Sequence, residues 1–183
     1  MTEFKLNIGS RVKAEGWKNF DIEPGPGVDY VGDCRDLSQF ADGVVDVIYA
    51  SHVLEHVSYQ KGIHATLAEW FRVLAPGGRI MISVPDFEAM CRLFLHPTMT
   101  FDQRFYIMRV IFGGQTDPHD FHHVGLTFEF LSSYLTQTGF RDIKRSEELG
   151  IFQDSSVQRV ANVPVSLNVK ARKPKTPAPS PES

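Results

Sequence analysis

The sequence predicts an α/β domain: an open, mostly parallel sheet with helices on both faces and an antiparallel pair of strands at its end. Three observations carry this expectation. Residues 44–49 and 80–84 are nearly continuous in apolar side chains, the pattern of strands covered on both faces. Between them Ile63, Leu67, Trp70, Phe71 and Leu74 recur at helical spacing, so the three segments make a strand, helix, strand unit. Polar residues collect directly after the predicted strands, on the side where an open α/β sheet binds small ligands.

Taken in order, short apolar or alternating runs at residues 4–8, 17–22 and 28–31 open the chain as three strands. Gly9, Asp21 and the stretch from Gly32 to Leu37 occupy the turns after them. Residues 44–49 form the fourth strand, followed by a loop holding Ala50, Ser51, His52, Glu55 and His56. The helix that comes next is stopped by Ala75, Pro76, Gly77 and Gly78, and residues 79–84 form the fifth strand. Asp86 caps a helix with Phe87, Met90, Cys91, Phe94 and Leu95 on its inner face. A second helix carries Phe101, Phe105, Met108 and Phe112 on one side; with Tyr106, these aromatics read as core or lid packing rather than a stacking platform. Residues 113–125 are rich in Gly, Pro and polar groups and hold His119, His122 and His123. Thr127 caps a helix bearing Phe128, Leu131 and Leu135, closed by Gly139, and residues 142–144 and 165–170 supply the final strands, making seven in all. From residue 173 the chain holds Pro174, Pro177, Pro179 and Pro181 with no large apolar side chain, so the folded unit is expected over residues 1–172 and a disordered tail over 173–183.

Composition fits one ordinary domain. The 183 residues are 42% hydrophobic and 22% charged, enough to bury about 70% of the unfolded surface without a disulfide or metal. With 19 basic against 22 acidic residues the net charge is −3, which argues against gripping a nucleic-acid backbone. No run approaches the roughly 18 apolar residues of a membrane span, and the N-terminus has no basic region ahead of an apolar one; the expectation is a cytoplasmic protein with no membrane partner. Cys34 and Cys91 suit a reducing compartment as small buried side chains.

The stretch VDVIYASHVLEHV at residues 45–57 and EWFRVLAPGGRIMISVPD at residues 69–86, in that order and spacing, resemble the class I S-adenosylmethionine-dependent methyltransferases, in particular short bacterial members related to the type 11 methyltransferase domain. The resemblance runs from Lys5 to Arg145 and implies a Rossmann-like seven-stranded sheet with S-adenosylmethionine as cofactor. It places Gly9 against the methionine part, Asp21 on the ribose hydroxyls, Asp33 on the adenine amino group with the Cys34 backbone N–H on the ring, and Ala50 and Ser51 beside the sulfonium. Leu37 is a further apolar wall and Asp36 a local cap. Two departures stand out. The first turn holds Gly9, Ser10 and Arg11 where the family carries two or three glycines, and the short connection to the second strand leaves room only for an abbreviated first helix.

Methyl transfer to oxygen or nitrogen asks the protein for close positioning and a base near neutral pH, which histidine provides. His119, His122 and His123, in an insertion (residues 86–126) expected to fold over the acceptor, are the candidates for acceptor binding or general base, with His122 and His123 preferred for their apolar neighbours Phe121 and Val124. His52 follows, being nearest the cofactor loop, while His56 reads as a packing residue. Glu55, His56 and the loop histidines also offer metal-ligand atoms, but fixed-spacing metal signatures are absent and no metal is expected. No G-x-G-x-x-G follows the first strand, which disfavours a nicotinamide cofactor. The leading expectation is a methyltransferase acting on a small molecule or a sugar-containing precursor. The alternatives are a non-catalytic methyltransferase-like subunit that binds a protein partner, motivated by Ser10 and Arg11, and metal-assisted hydrolysis by the histidine loop.

Overall fold

A computed structural model describes residues 3–175. Its strands are β1 (Lys5–Ile8), β2 (Trp17–Asp21), β3 (Tyr30–Val31), β4 (Val45–Ser51), β5 (Leu74–Pro85), β6 (Arg141–Ser146), β7 (Arg159–Val160), β8 (Val163–Pro164) and β9 (Ser166–Arg172). Seven of them form one sheet in the order β3-β2-β1-β4-β5-β9-β6. The first five run parallel, and β9 lies antiparallel to both β5 and β6. The mostly parallel sheet with an antiparallel final pair is therefore the observed architecture. Strand order reverses between β1 and β4, which opens a ligand crevice at the carboxyl ends of β1, β2 and β4.

One face of the sheet is covered by α1 (Gly62–Val73) and α4 (Phe128–Thr138), which bury Ile63, Leu67, Trp70, Leu131 and Leu135 against Leu6, Ile8, Ile48, Ile80 and Ile82. Each such side chain removed from water contributes roughly 1.5–3 kcal/mol. On the opposite face, Val47, Tyr49 and Met81 pack against Leu149 and Phe152, with Trp17 edge-on to both Tyr49 and Phe152. Cover on that side comes from the segment around residues 149–152. Among the described residues no helical turn stands in residues 9–16, because so few residues cannot hold a helix and two turns. The abbreviation expected there is complete.

The end of α1 differs from the expected stop. The helix ends at Val73, Leu74 is already extended and pairs with Val45, and the register shifts before Val47 meets Arg79. Residues 75–78 are thus an irregular strand entry, with Gly77 at φ 82°, and no separate loop joins helix to strand.

Helices α2 (Phe87–Leu95) and α3 (Phe101–Phe112) pack on each other through Met90, Leu93, Met99 and Ile107. Asp86 accepts from the Ala89 N–H, and Thr100 and Gln103 form a reciprocal capping box. The stripe expected to face inward on α3 faces outward: Phe101 is 80% exposed, and Phe105, Met108 and Phe112 are exposed with it. Ile107, with Val110 and Ile111 beside it, forms the packed stripe instead. On α2, Phe94 and Leu95 are likewise exposed while Leu93 is buried. Thr127 caps α4, and Gly139 closes it in the left-handed conformation at φ 112°, as the sequence indicates.

Lys173, which the sequence assigns to the tail, belongs to the folded unit. Its ammonium donates to the carbonyls of Phe71 and Leu74, 2.7 Å each, at the end of α1, and its backbone pairs with Gly77 and Gly78. The rest of the Pro-rich tail from residue 176 lies outside the described residues. No described helix is long and apolar enough to cross a membrane.

Candidate active site

A cleft of about 290 Å³ opens over the carboxyl ends of β1, β2 and β4. Gly9, Asp21, Asp33 and Cys34 line it together with His52, Val53, His56, His119, Phe121 and His123. The fold thus gathers seven of the ten expected site residues around one space.

Gly9 ends β1 with φ 73°, and its N–H donates to the Phe20 carbonyl at 2.7 Å. A Cβ there would lie 2.3 Å from Val53 Cγ2, so only glycine fits between the first turn and the loop after β4. Asp21 closes β2. Its Oδ1 accepts from the Glu23 N–H at 3.0 Å and faces the Arg11 guanidinium at 3.4 Å, while Arg11 also pairs with Glu23 at 2.6 Å. Asp33 is held by Arg35 through both carboxylate oxygens, 2.5–3.0 Å, which keeps its carboxyl below the usual range against a smaller opposing effect of burial. Burial pushes the Cys34 thiol up to about 12, leaving it protonated and unreactive, and the Cys34 carbonyl accepts from the indole N–H of fully buried Trp70 at 2.8 Å. Asp36 caps a turn by accepting the Ser38 N–H, at 2.9 Å.

Ala50 and Ser51 do not reach the cleft. Ala50 is buried inside β4, paired with Ile8 and Ile82, and the Ser51 hydroxyl is buried. The first residue after the strand to face the space is His52, held with φ 56° by its N–H on the Ser83 carbonyl. Such a left-handed backbone outside glycine is a strained arrangement that surrounding contacts must hold. His52 Nε2 meets Ser166 Oγ at 2.9 Å; that hydroxyl donates to the Ser155 carbonyl, so the ring nitrogen is the donor.

Leu54, Glu55 and His56 make a single 3₁₀ turn rather than the helix that would align His52 and His56 on one face. Glu55 is 1% exposed, and its Oε1 lies 3.2 Å from His52 Nδ1 and 3.9 Å from His122 Nε2. Burial pushes this carboxyl up, but the surrounding imidazoles of His52, His122 and His56 outweigh it and hold the group below the usual range. The histidine loop is pinned to this turn by the His123 N–H on the Glu55 carbonyl, 2.8 Å, and folds on Asp120, which accepts from Gly114, Thr116 and the Thr116 hydroxyl. His119 and His123 line the cleft and are exposed, whereas His122 points behind the wall. Its Nδ1 donates to the Val110 carbonyl at 3.0 Å, its ring stands edge-on to His56 at 4.7 Å, and burial lowers its basicity despite Glu55. Among the described residues α2 and α3 contribute nothing to the cleft, so the insertion acts through its loop alone. Sequence reasoning underweighted Glu55 and missed Arg11 and Arg35 as partners of the two acids; the one signal for Glu55 was an acid standing between two histidines.

A wider depression lies over the opposite ends of the strands, lined by Lys5, Arg79, Lys144, Lys170 and Arg172. Ligands of open α/β sheets bind at the carboxyl ends, so the cleft holding Gly9 and His52 is the site.

Residues 8–82 match the family described as methyltransferase domain. No curated protein matches the chain significantly. Solved structures share its fold. A SAM-dependent methyltransferase from Archaeoglobus fulgidus superposes with a TM-score of 0.60 at 19% identity, over 93% of this chain and 86% of that one. The CurJ carbon methyltransferase gives 0.55 at 17%, over 94% of this chain, which spans about half (49%) of that longer protein. A methyltransferase in complex with the Haloferax volcanii Trm112 activator gives 0.55 at 14%, over 94% and 83%.

Proposed function

We propose that this chain, a class I S-adenosylmethionine-dependent methyltransferase by fold and by its methyltransferase-domain match, transfers a methyl group to a hydroxyl-bearing small molecule or sugar-containing precursor. The observation that carries the reading is the convergence of Gly9, Asp21, Asp33 and Cys34 on one cleft with His52, His119 and His123. These residues fit the cofactor. Gly9 would lie against the methionine part, Asp21 would accept from the ribose hydroxyls, and Asp33 with the Cys34 backbone would receive the adenine. Bound there, S-adenosylmethionine supplies an electrophilic methyl group.

The chain's own work is positioning and proton removal. His52 and His56 each spend a ring nitrogen on a fixed partner, whereas His119 and His123 line the cleft and stand exposed; we assign the general base to this loop pair. Arg11 and Arg35 must turn aside as the carboxylates take their new partners. Both arginines are exposed, so opening each pair costs little. The same reading assigns the chain to a bacterial cytoplasm, where the two free thiols stay reduced.

Titration calorimetry with S-adenosylhomocysteine tests the reading. Micromolar binding that Asp21→Ala abolishes or greatly weakens supports it, and a loss of about 10²–10⁴-fold in turnover on His123→Ala or His119→Ala then identifies the base. Folded wild-type protein that binds nothing overturns it in favour of a methyltransferase-like partner subunit. The Arg11 guanidinium on Asp21 is the observation that favours that second reading.

A further inference from the structure

We propose that Glu55, His56 and His122 form a binding site for one divalent first-row transition-metal ion, set into the wall of the cleft. One ligand atom from each residue lies within 4.8 Å of the others. An ion bound at about 2.0–2.2 Å holds its ligands about 3–3.5 Å apart, so the three side chains need to close by about an ångström.

The Glu55 carboxylate points to a missing cation. It is 1% exposed, and neither oxygen has a hydrogen-bond partner. A carboxylate buried without partners is among the costliest groups a fold can carry, so something must satisfy it. His52 does so only in part: with its Nε2–H committed to Ser166, Nδ1 can donate to Oε1 at 3.2 Å only as an imidazolium, and Oε2 has no partner in either state. A cation beside the carboxylate relieves its burial.

The two ligand histidines are oriented as metal ligands usually are. His122 Nδ1 donates to the Val110 carbonyl at 3.0 Å, leaving Nε2 with the lone pair on the side of Glu55. His56 Nδ1 donates to the Phe121 carbonyl at 3.2 Å, leaving its Nε2 lone pair free. A backbone carbonyl on the second ring nitrogen fixes the tautomer and raises ligand basicity. The backbone bond from His123 to the Glu55 carbonyl holds the loop against the turn before any ion arrives. Two imidazoles and one carboxylate suit zinc, cobalt, manganese or iron better than magnesium, which prefers oxygen and water.

Three protein ligands leave coordination positions open, and His56 lines the cleft, so those positions face the acceptor side. An ion there would hold and acidify an acceptor hydroxyl, a role that rests on the methyltransferase reading; the binding of the ion does not. The absence of a fixed-spacing metal signature follows from topology, since residues 55–56 and 122 meet only through the folded loop.

The test uses the full chain, stripped with chelator and titrated separately with Zn²⁺, Co²⁺ and Mg²⁺, with S-adenosylhomocysteine titrated in parallel. The expected result is about one ion per chain with Kd below about 10 µM for Zn²⁺ and Co²⁺, a visible Co²⁺ absorption band, and at least tenfold weaker Mg²⁺ binding. Glu55→Gln, His122→Asn and His56→Ala should each weaken the ion by at least tenfold. His56 is only half-buried, so its variant decides if the others fail to fold. Folded wild-type protein that binds no ion tighter than about 100 µM, or binding unchanged in His56→Ala, overturns the site. Ion binding without cofactor binding leaves the site standing and sinks the methyltransferase reading; cofactor binding without ion binding does the reverse.

Discussion

Gly9→Ala is the sharpest perturbation of the turn after β1, because two separate costs can be worked out and measured apart. At φ 73° an alanine is forced into the left-handed region, which costs about 1–2 kcal/mol. Its Cβ would also stand 2.3 Å from Val53 Cγ2, over an ångström inside ordinary contact, and forcing buried Val53 off its rotamer costs about 0.5–1.5 kcal/mol. The sum, about 1.5–3.5 kcal/mol, lowers Tm by roughly 3–14 °C for a domain of this size. Adding Val53→Ala removes the colliding methyl, so a double-mutant cycle should return a coupling of about 1 kcal/mol in favour of the pair, with the backbone cost left over. Gly9 and Val53 both line the cleft, so S-adenosylhomocysteine titration should show weakened binding in Gly9→Ala and partial recovery in the double variant. Thermal unfolding of Gly9→Ala within about 0.5 kcal/mol of wild type would refute the strained turn, and zero coupling would refute the contact with Val53.

Arg35→Gln tests the electrostatics of Asp33. Arg35 depresses the folded-state value for Asp33, so its contribution is present above the ordinary aspartate range near pH 4 and lost as pH falls through the lower folded value. Urea unfolding across pH should show a wild-type advantage of under about 1 kcal/mol at neutrality that vanishes in acid, and an advantage unchanged at about pH 2 would contradict the pair. On α3, the double substitution Phe101→Lys with Phe105→Glu replaces two exposed rings and should alter stability by no more than about 0.5 kcal/mol while reducing binding of a hydrophobic dye. A loss above about 1 kcal/mol would mean this face is covered in solution. Lys173→Met deletes the ammonium from the carboxyl end of α1 and should cost about 1–2 kcal/mol in chemical denaturation, whereas an unchanged midpoint would show that the contact does not form.

Sheet and site were legible in the sequence to different depths. Central strands such as β4 and β5 announce themselves because most positions on both faces are buried and the apolar run is nearly continuous. The acids Asp21 and Asp33 and the glycine Gly9 could be placed because a strand's end fixes where the next side chain points. Ala50 and Ser51 missed the cleft by one pleat: side chains alternate across a strand, so extending β4 to Ser51 leaves His52 as the cleft-facing position. On α3 two stripes of apolar residues compete at helical spacing, and the larger aromatics drew the inward assignment although Ile107, Val110 and Ile111 meet α2. Periodicity reports a stripe but not which neighbour arrives to cover it. His122 and Glu55 illustrate a harder limit, since adjacency across residues 55 and 122 is created by one loop closing on one turn.

The two arginines connect the unusual first turn to what the cleft can hold. Where the resemblance calls for small residues, Arg11 reaches across to Asp21 and Glu23, and Arg35 closes on Asp33, so both acids proposed to bind the nucleoside already carry a cation. Exposed pairs of this kind are weak, whereas ribose hydroxyls and an adenine amino group offer donors to the same oxygens inside a partly desolvated cleft. Competition therefore favours the cofactor if the arginines swing into water, and their displacement lowers affinity by the cost of opening each pair. An Arg11→Ala variant should then bind S-adenosylhomocysteine more tightly than wild type, by up to about fivefold. Binding weakened by Arg11→Ala would instead place the guanidinium among the cofactor's own contacts, most directly against its carboxylate, and would turn the departure at Ser10 and Arg11 from an obstacle into a recognition element.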